Sequence, residues 1–205
     1  MVRLENINLK YDDKIIFQNL NINIPYKKIV GLYGNLYEKL INLLKDKDFN
    51  TGRILDDDFY LNNVLVIDNY NNFITNNVLD ELYINLNYNK FSNEIIETLE
   101  KFDFTNNFLE RSIHTLSNFE KKVLKLIISM YSDSKTIIYI NLFNGLDYRN
   151  KTLFIKMIKR IKKVFDKTIL IHDKDMDSIY NLIDQLLIVD NNLVIIDSIE
   201  EVFNN

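Results

Sequence analysis

The chain has 205 residues, 47% of them apolar, no cysteine and a formal net charge of -4. This length and apolar content suit one domain with a sizeable core and exclude a disordered chain, while the charge gives no general reason to expect nucleic acid. Without cysteine there are no disulfides or thiolate metal sites; no apolar run reaches the roughly 18 residues of a membrane span, and Met1-Val2-Arg3-Leu4-Glu5 is no signal peptide.

Leu4 to Tyr11 alternates apolar and polar residues, Asp12-Asp13-Lys14 turns, and Ile15 to Ile24 alternates again. Residues 1–30 therefore predict an antiparallel β region, with a further turn at Pro25-Tyr26-Lys27-Lys28. Ile29-Val30-Gly31-Leu32-Tyr33 has strand length and composition; Gly34 breaks the pattern, and Leu40, Ile41, Leu43 and Leu44 resume it at helical spacing. Thr51 to Leu55 and Val64 to Ile67 predict two more strands, and helical periodicity over about 75–115 predicts a helical insert. Ser117 with Glu120 three residues on is a capping-box pattern opening a helix through Ile128. Thr136 to Ile140 and Thr168 to Ile171 are short buried strands. Asn150 to Phe165 is an amphipathic helix with a basic face, a helix is predicted near 176–185, and Leu186 to Ile196 fits a hairpin turning at Asp190-Asn191-Asn192. Buried strands alternating with helices indicate a parallel α/β sheet. The basic face reads first as solvated, with attraction to a membrane surface as the alternative.

Glycine is used only four times, at Gly31, Gly34, Gly52 and Gly145. In so glycine-poor a chain each one marks backbone that needs positive φ or close approach. The segment from Ile29 to Leu44 combines a strand, a Gly turn and a helix with a lysine at its start, which is the layout of a phosphate-binding loop. It departs from the G-x-x-x-x-G-K-[ST] pattern. Glu38 precedes Lys39, Leu40 and Ile41 follow it, and one residue fewer separates Gly34 from the lysine.

The order and spacing of these segments resemble the ATP-binding cassette ATPases, the nucleotide-binding subunits of ABC transporters, over essentially the whole chain. Leu4 to Tyr11 is similar to the family's opening strand, with Tyr11 where the adenine-stacking aromatic sits. Ile29 to Leu44 matches the Walker A segment, so the resemblance assigns nucleotide contacts to Gly34, Asn35, Leu36, Tyr37, Glu38, Lys39, Leu40 and Ile41. Asp68-Asn69-Tyr70 falls at the Q-loop, with Asp68 in place of Gln, and Val78 to Leu82 is similar to the start of the family's helical subdomain. Leu116-Ser117-Asn118-Phe119-Glu120 falls on the LSGGQ signature, keeping Ser117 and losing both Gly. Ile137 to Leu142 lies on Walker B, with Asn141 for its Asp and Leu142 for the catalytic Glu. Gly145-Leu146-Asp147 matches the D-loop, and Lys174-Asp175-Met176 stands where the switch His-Asp-Met is found. Outside the resemblance, Tyr11 reads as a strand aromatic, Lys39 as a solvated helix-start cation, Ser117 as an N-cap and His172 as structural. His114 has no assigned partner.

A working phosphate loop surrounds phosphate oxygens with backbone N–H groups, and glycines let that backbone come close. Leu36, Tyr37 and Glu38 bring side chains into that space. A carboxylate at Glu38 facing phosphate costs roughly 4 kcal/mol per charge pair, at about 4 Å and an effective dielectric near 20. Leu40 and Ile41 supply no hydroxyl for Mg²⁺, Asn141 removes a carboxylate that helps hold it, and Leu142 cannot act as a base. No catalytic or metal-ligating residue is assigned.

The resemblance implies an α/β, P-loop NTPase-like cassette with a mixed or parallel core sheet, an antiparallel β edge and a small helical subdomain. The whole of 1–205 is expected to be one nucleotide-binding domain, with the helical insert at about 75–132. The expected function is that of a degenerate cassette subunit of an ABC-type transporter, kept for assembly and coupling, with ATP weakly bound or lost at its own site and Mg²⁺ without its usual ligands. Its expected partners are a transmembrane permease subunit and a second, more competent cassette forming a heterodimer, with no nucleic acid. That places it in the cytoplasm, peripheral on the inner face of the cell membrane. Two alternatives are a divergent but active transport ATPase, and a non-transport scaffold, immunity or regulatory protein reusing the fold.

Overall fold

The computed structural model describes residues 1–68, 73–86, 93–101, 104, 106–190 and 193–197. The chain divides into two compact units, one made of Met1–Asp68 with Ser134–Asn205 and the other of Asn69–Asp133.

The first unit holds two sheets. In the smaller one, β1 (Val2–Tyr11) lies between β2 (Lys14–Ile24) and β4 (Thr51–Leu55), antiparallel to both. Its ladder slips at Asn6 and Asn19, both at positive φ. Asparagine side chains hold the slip: Asn21 Oδ1 accepts from the Asn6 N–H at 3.0 Å, and Asn8 Oδ1 from the Asn19 N–H at 2.9 Å. Short polar side chains that tolerate the left-handed region suit such bulges.

The larger sheet runs β5 (Val64–Ile67), β6 (Thr136–Ile140), β7 (Thr168–His172), β3 (Ile29–Tyr33), β8 (Gln185–Asp190) and β9 (Leu193–Asp197). It is parallel except for β9, which pairs antiparallel with β8. The antiparallel strands near the N-terminus thus form a sheet of their own, and the antiparallel edge of the larger sheet comes from the C-terminal hairpin. Asn191 and Asn192, read as its turn, lie outside the described residues.

Helix α1 (Tyr37–Asp46) buries Leu40, Ile41, Leu43 and Leu44 in one apolar cluster with Leu4, Ile7 and Phe17 of the small sheet and Leu32, Ile138, Leu170 and Leu187 of the large one. Its apolar positions lie three and four apart, so a single stripe of the helix enters that core. α5 (Tyr148–Phe165) starts two residues before the predicted Asn150 because Asp147 caps it, accepting the Asn150 N–H at 2.8 Å. The helix expected over 176–185 is only α6, Met176–Tyr180. Leu182 and Ile183 turn into the core, and Asp184 accepts the Ile29 N–H at 2.7 Å, which ends the helix and starts β8.

The second unit contains α2 (Val78–Leu86), α3 (Asn93–Glu100) and α4 (Asn118–Tyr131). Buried Glu81 organises its entry, accepting the N–H groups of Ile74 and Thr75 at 2.9 and 2.8 Å. The predicted capping box at Ser117 is formed. Ser117 Oγ accepts from the Glu120 N–H at 3.3 Å, and Glu120 Oε2 accepts from the Ser117 N–H at 2.6 Å. Arg111 pairs with the other Glu120 oxygen. Burial pushes the Glu120 carboxyl up, but the Ser117 N–H, then Arg111 and the Ser117 hydroxyl outweigh it and leave the group below its ordinary value.

A depressed folded value means that this stability is present above the unfolded pKa and is lost as pH falls through the folded one. Glu120→Gln is therefore expected to cost about 1 kcal/mol at neutral pH, discounted for the partly exposed arginine. The difference from the parent should vanish below the ordinary carboxylate range. Urea midpoints measured at neutral and acid pH check this, and a gap that persists in acid contradicts it.

Candidate functional site

In open α/β sheets ligands collect beyond the carboxyl ends of the parallel strands. The residues singled out in the first unit lie there. Gly34 to Ile41 follow β3, Asp68 follows β5, Asn141 follows β6, and Lys174 follows β7. Asn69 and Tyr70, the rest of the Q-loop match, lie outside the described residues. Ser117 belongs to the helical unit, where it is exposed at the start of α4.

The loop after β3 is drawn tight. Gly34 sits at φ +97°, and a Cβ built there would lie 2.3 Å from the Val189 carbonyl oxygen. That close approach lets the Leu36 N–H donate to the same Val189 oxygen at 3.1 Å. Asn35 Nδ2 lies 3.4 Å from Asp190 Oδ1. The Leu36 carbonyl accepts from the Leu40 N–H at 3.0 Å and begins α1. In a phosphate cradle such amides point at an anion; here the Leu36 amide is spent on the end of β8.

Side chains occupy the rest of the loop. The Tyr37 ring stacks on His172, with centroids 3.6 Å apart and planes 12° from parallel. The Tyr37 hydroxyl donates to Glu38 Oε1 at 3.0 Å. His172 is buried, and its Nδ1 lies 3.0 Å from the Leu32 carbonyl oxygen, which fixes the ring at the junction of β7 and β3. Leu36 and Tyr37 also pack partly buried against the core cluster.

The lysine points elsewhere. Lys39 Nζ lies 5.1 Å from the centre of the Tyr11 ring, so two residues assigned to different parts of a nucleotide meet each other in a cation–π contact. Each residue on a helix turns the next by about 100°, so a loop one residue short rotates the lysine round α1. Counting six residues from Gly34, the lysine position of the pattern falls on Leu40 and the hydroxyl position on Ile41. Both are core residues, 0% and 3% exposed.

At the neighbouring strand ends, Asn141 takes φ +54° and donates its N–H to the His172 carbonyl at 2.8 Å. Leu142 is buried. Buried Asp173 accepts the Phe143 N–H at 2.8 Å and the Asp175 N–H at 3.0 Å, tying the segment after β6 to the segment after β7. Asp175 is paired with Lys151 of α5, and that lysine, then Ser178, holds its carboxyl below the ordinary value. Lys174 is exposed, and Asp147, also exposed, serves as the N-cap of α5.

Three residues that shape this edge were not singled out as contacts by sequence reasoning: His172, Asp173 and Val189. His172 stands out in the sequence only as one of two histidines, and the carbonyl of Val189 carries no sequence signal at all. Tyr37 was expected to intrude on the phosphate space; its stacking partner was not legible. Among the described residues no group of three or more His, Asp or Glu side chains is arranged to hold a metal ion. Asn141 and Ile41 do not supply the carboxylate and hydroxyl that Mg²⁺ would need, so no step is derived through it.

No protein-family model matches the chain. Over 125 residues, 60% of this chain, it is 26% identical to the energy-coupling factor transporter ATP-binding protein EcfA2 of Mycoplasma capricolum subsp. capricolum, a match that spans 43% of that relative. Its fold superposes on cbiO1 from Clostridium perfringens, part of the ABC transporter complex cbiONQ, with a TM-score of 0.81 at 18% identity, covering 100% of this chain and 90% of that one. It also superposes on the dimeric ATP-binding cassette MJ0796 bound to ADP and Pi, with a TM-score of 0.73 at 15% identity, covering 97% of this chain and 99% of that one. With a six-stranded, mainly parallel sheet and a separate antiparallel sheet, the chain has the fold of the ATP-binding cassettes.

Proposed function

We propose that this chain is the cassette subunit of an ABC-type membrane transporter whose own nucleotide site is closed, kept for assembly and coupling. The observation that carries this reading is the loop after β3. Its Leu36 amide is bonded to Val189, its Tyr37 ring is stacked on His172, and its Lys39 lies over Tyr11. The transporter role is supported by the relatives named above, one a transporter ATP-binding protein and one a part of a transporter complex.

In this reading 1–205 is one cassette, the helical insert included. It pairs with a second, more competent cassette, to whose ATP it offers Ser117 and Asp147. A membrane permease subunit supplies a helix that docks in a groove, which holds the chain peripherally at the cytoplasmic face. Ser117 is exposed at the start of α4 while its oxygen caps the helix, which supports a role facing a partner.

The test is hydrolysis. Purified chain with Mg-ATP is expected to release phosphate at the background rate, and Lys39→Ala to leave that rate unchanged. Turnover well above background that Lys39→Ala abolishes would refute the proposal in favour of a working ATPase.

A further inference from the structure

Asn144 and Gly145 form the one Asn-Gly pair in the chain, in the exposed turn between β6 and α5. The amides on either side are engaged: Asn144 donates its N–H to Asn141 at 3.3 Å, and Leu146 to Phe143 at 3.1 Å. Between them, neither the Gly145 N–H nor the Asn144 side chain makes a hydrogen bond among the described residues. Gly145 is at φ +75°, it carries no side chain, and a Cβ built on it would meet nothing within 4 Å, so the turn is open on that side.

We infer that Asn144 is a site of spontaneous covalent modification, converting through a cyclic imide to an aspartyl or isoaspartyl residue. The Gly145 backbone nitrogen gives up its proton to hydroxide and attacks Cγ of Asn144. The new C–N bond closes a five-membered imide while the Cγ–Nδ2 bond breaks and the amide nitrogen leaves as ammonia, taking a proton from water and so returning the hydroxide. Water then adds to either imide carbonyl, that carbon's bond to the imide nitrogen breaks and the nitrogen takes up a proton, giving an aspartyl side chain or a main chain rerouted through Cβ. No oxidant, metal or second protein is needed.

The product places a carboxylate in the turn that leads to Asp147, the N-cap of α5. In the isoaspartyl form it also lengthens that turn by one backbone carbon. This rests on the turn alone and is independent of the closed nucleotide site.

The experiment ages the folded protein at physiological temperature over a series of pH values. It follows peptide masses for replacement of an amide NH2 by OH, and isoaspartate by enzymatic methyl transfer. Position 144 is expected to convert before any other asparagine, faster as pH rises. Asn144→Gln should abolish the signal, and Gly145→Ala should reduce it to the level of the other asparagines, with circular dichroism showing that both variants are folded. Conversion of other asparagines while position 144 stays intact would overturn the inference, as would conversion there only after unfolding in urea.

Discussion

Leu40→Lys is expected to destabilise the protein severely, although it restores the spacing of a phosphate-binding lysine from Gly34. Leu40 is 0% exposed and packs in the cluster that joins α1 to both sheets. Lysine there loses the leucine contacts and leaves a buried charge without a partner, a defect worth about 3–5 kcal/mol. Folded domains are stable by only about 5–15 kcal/mol, so a defect of this size removes much of the margin. Leu40→Met, which conserves volume, should cost less than about 1.5 kcal/mol and serves as the control. Thermal melts followed by circular dichroism decide it. A Leu40→Lys protein that melts cooperatively near the parent temperature would show that this helix register is wrong.

Gly34→Val is expected to have the second-largest effect. Valine at φ +97° adopts a conformation costing of order 1–3 kcal/mol for a residue with a side chain. Its Cβ would also lie 2.3 Å from the Val189 oxygen and 2.7 Å from the Val189 carbonyl carbon, so main chain must move. Overpacking of this kind costs a further 1–3 kcal/mol or so. The sum, about 4 kcal/mol, lowers the melting temperature by roughly 8–16 °C in a domain of this size. Gly145→Val is the comparison, because it pays the backbone strain without the clash. Equal melting temperatures for the two variants would contradict the tight turn against β8.

Much of this architecture was legible in the chain. Thr136 to Ile140 is a strand as its unbroken apolar run requires, and the Ser117-to-Glu120 spacing forms the capping box it encodes. Short-range signals fail where a distant partner decides. The helix expected to reach residue 185 stops at Tyr180 because Asp184 is taken up by Ile29 and Lys162. For the candidate site, the sequence shows that glycines and a hydroxyl are missing from the loop. It does not show what fills the space, since Tyr37 meets His172 and Leu36 meets Val189 across the width of the sheet. Nor does it show that Lys39 and Tyr11 face each other, because their contact joins helix α1 to the end of β1 rather than neighbours in sequence.

The central claim is that side chains and main-chain bonds of this protein already occupy the place of a triphosphate. Isothermal calorimetry with purified chain and Mg-ATP at millimolar concentration tests it most directly. A titration indistinguishable from dilution is the predicted result, with Tyr37→Ala and the parent alike giving no saturable heat. A saturable Mg-ATP isotherm for the parent, weakened by Lys39→Ala, would contradict it.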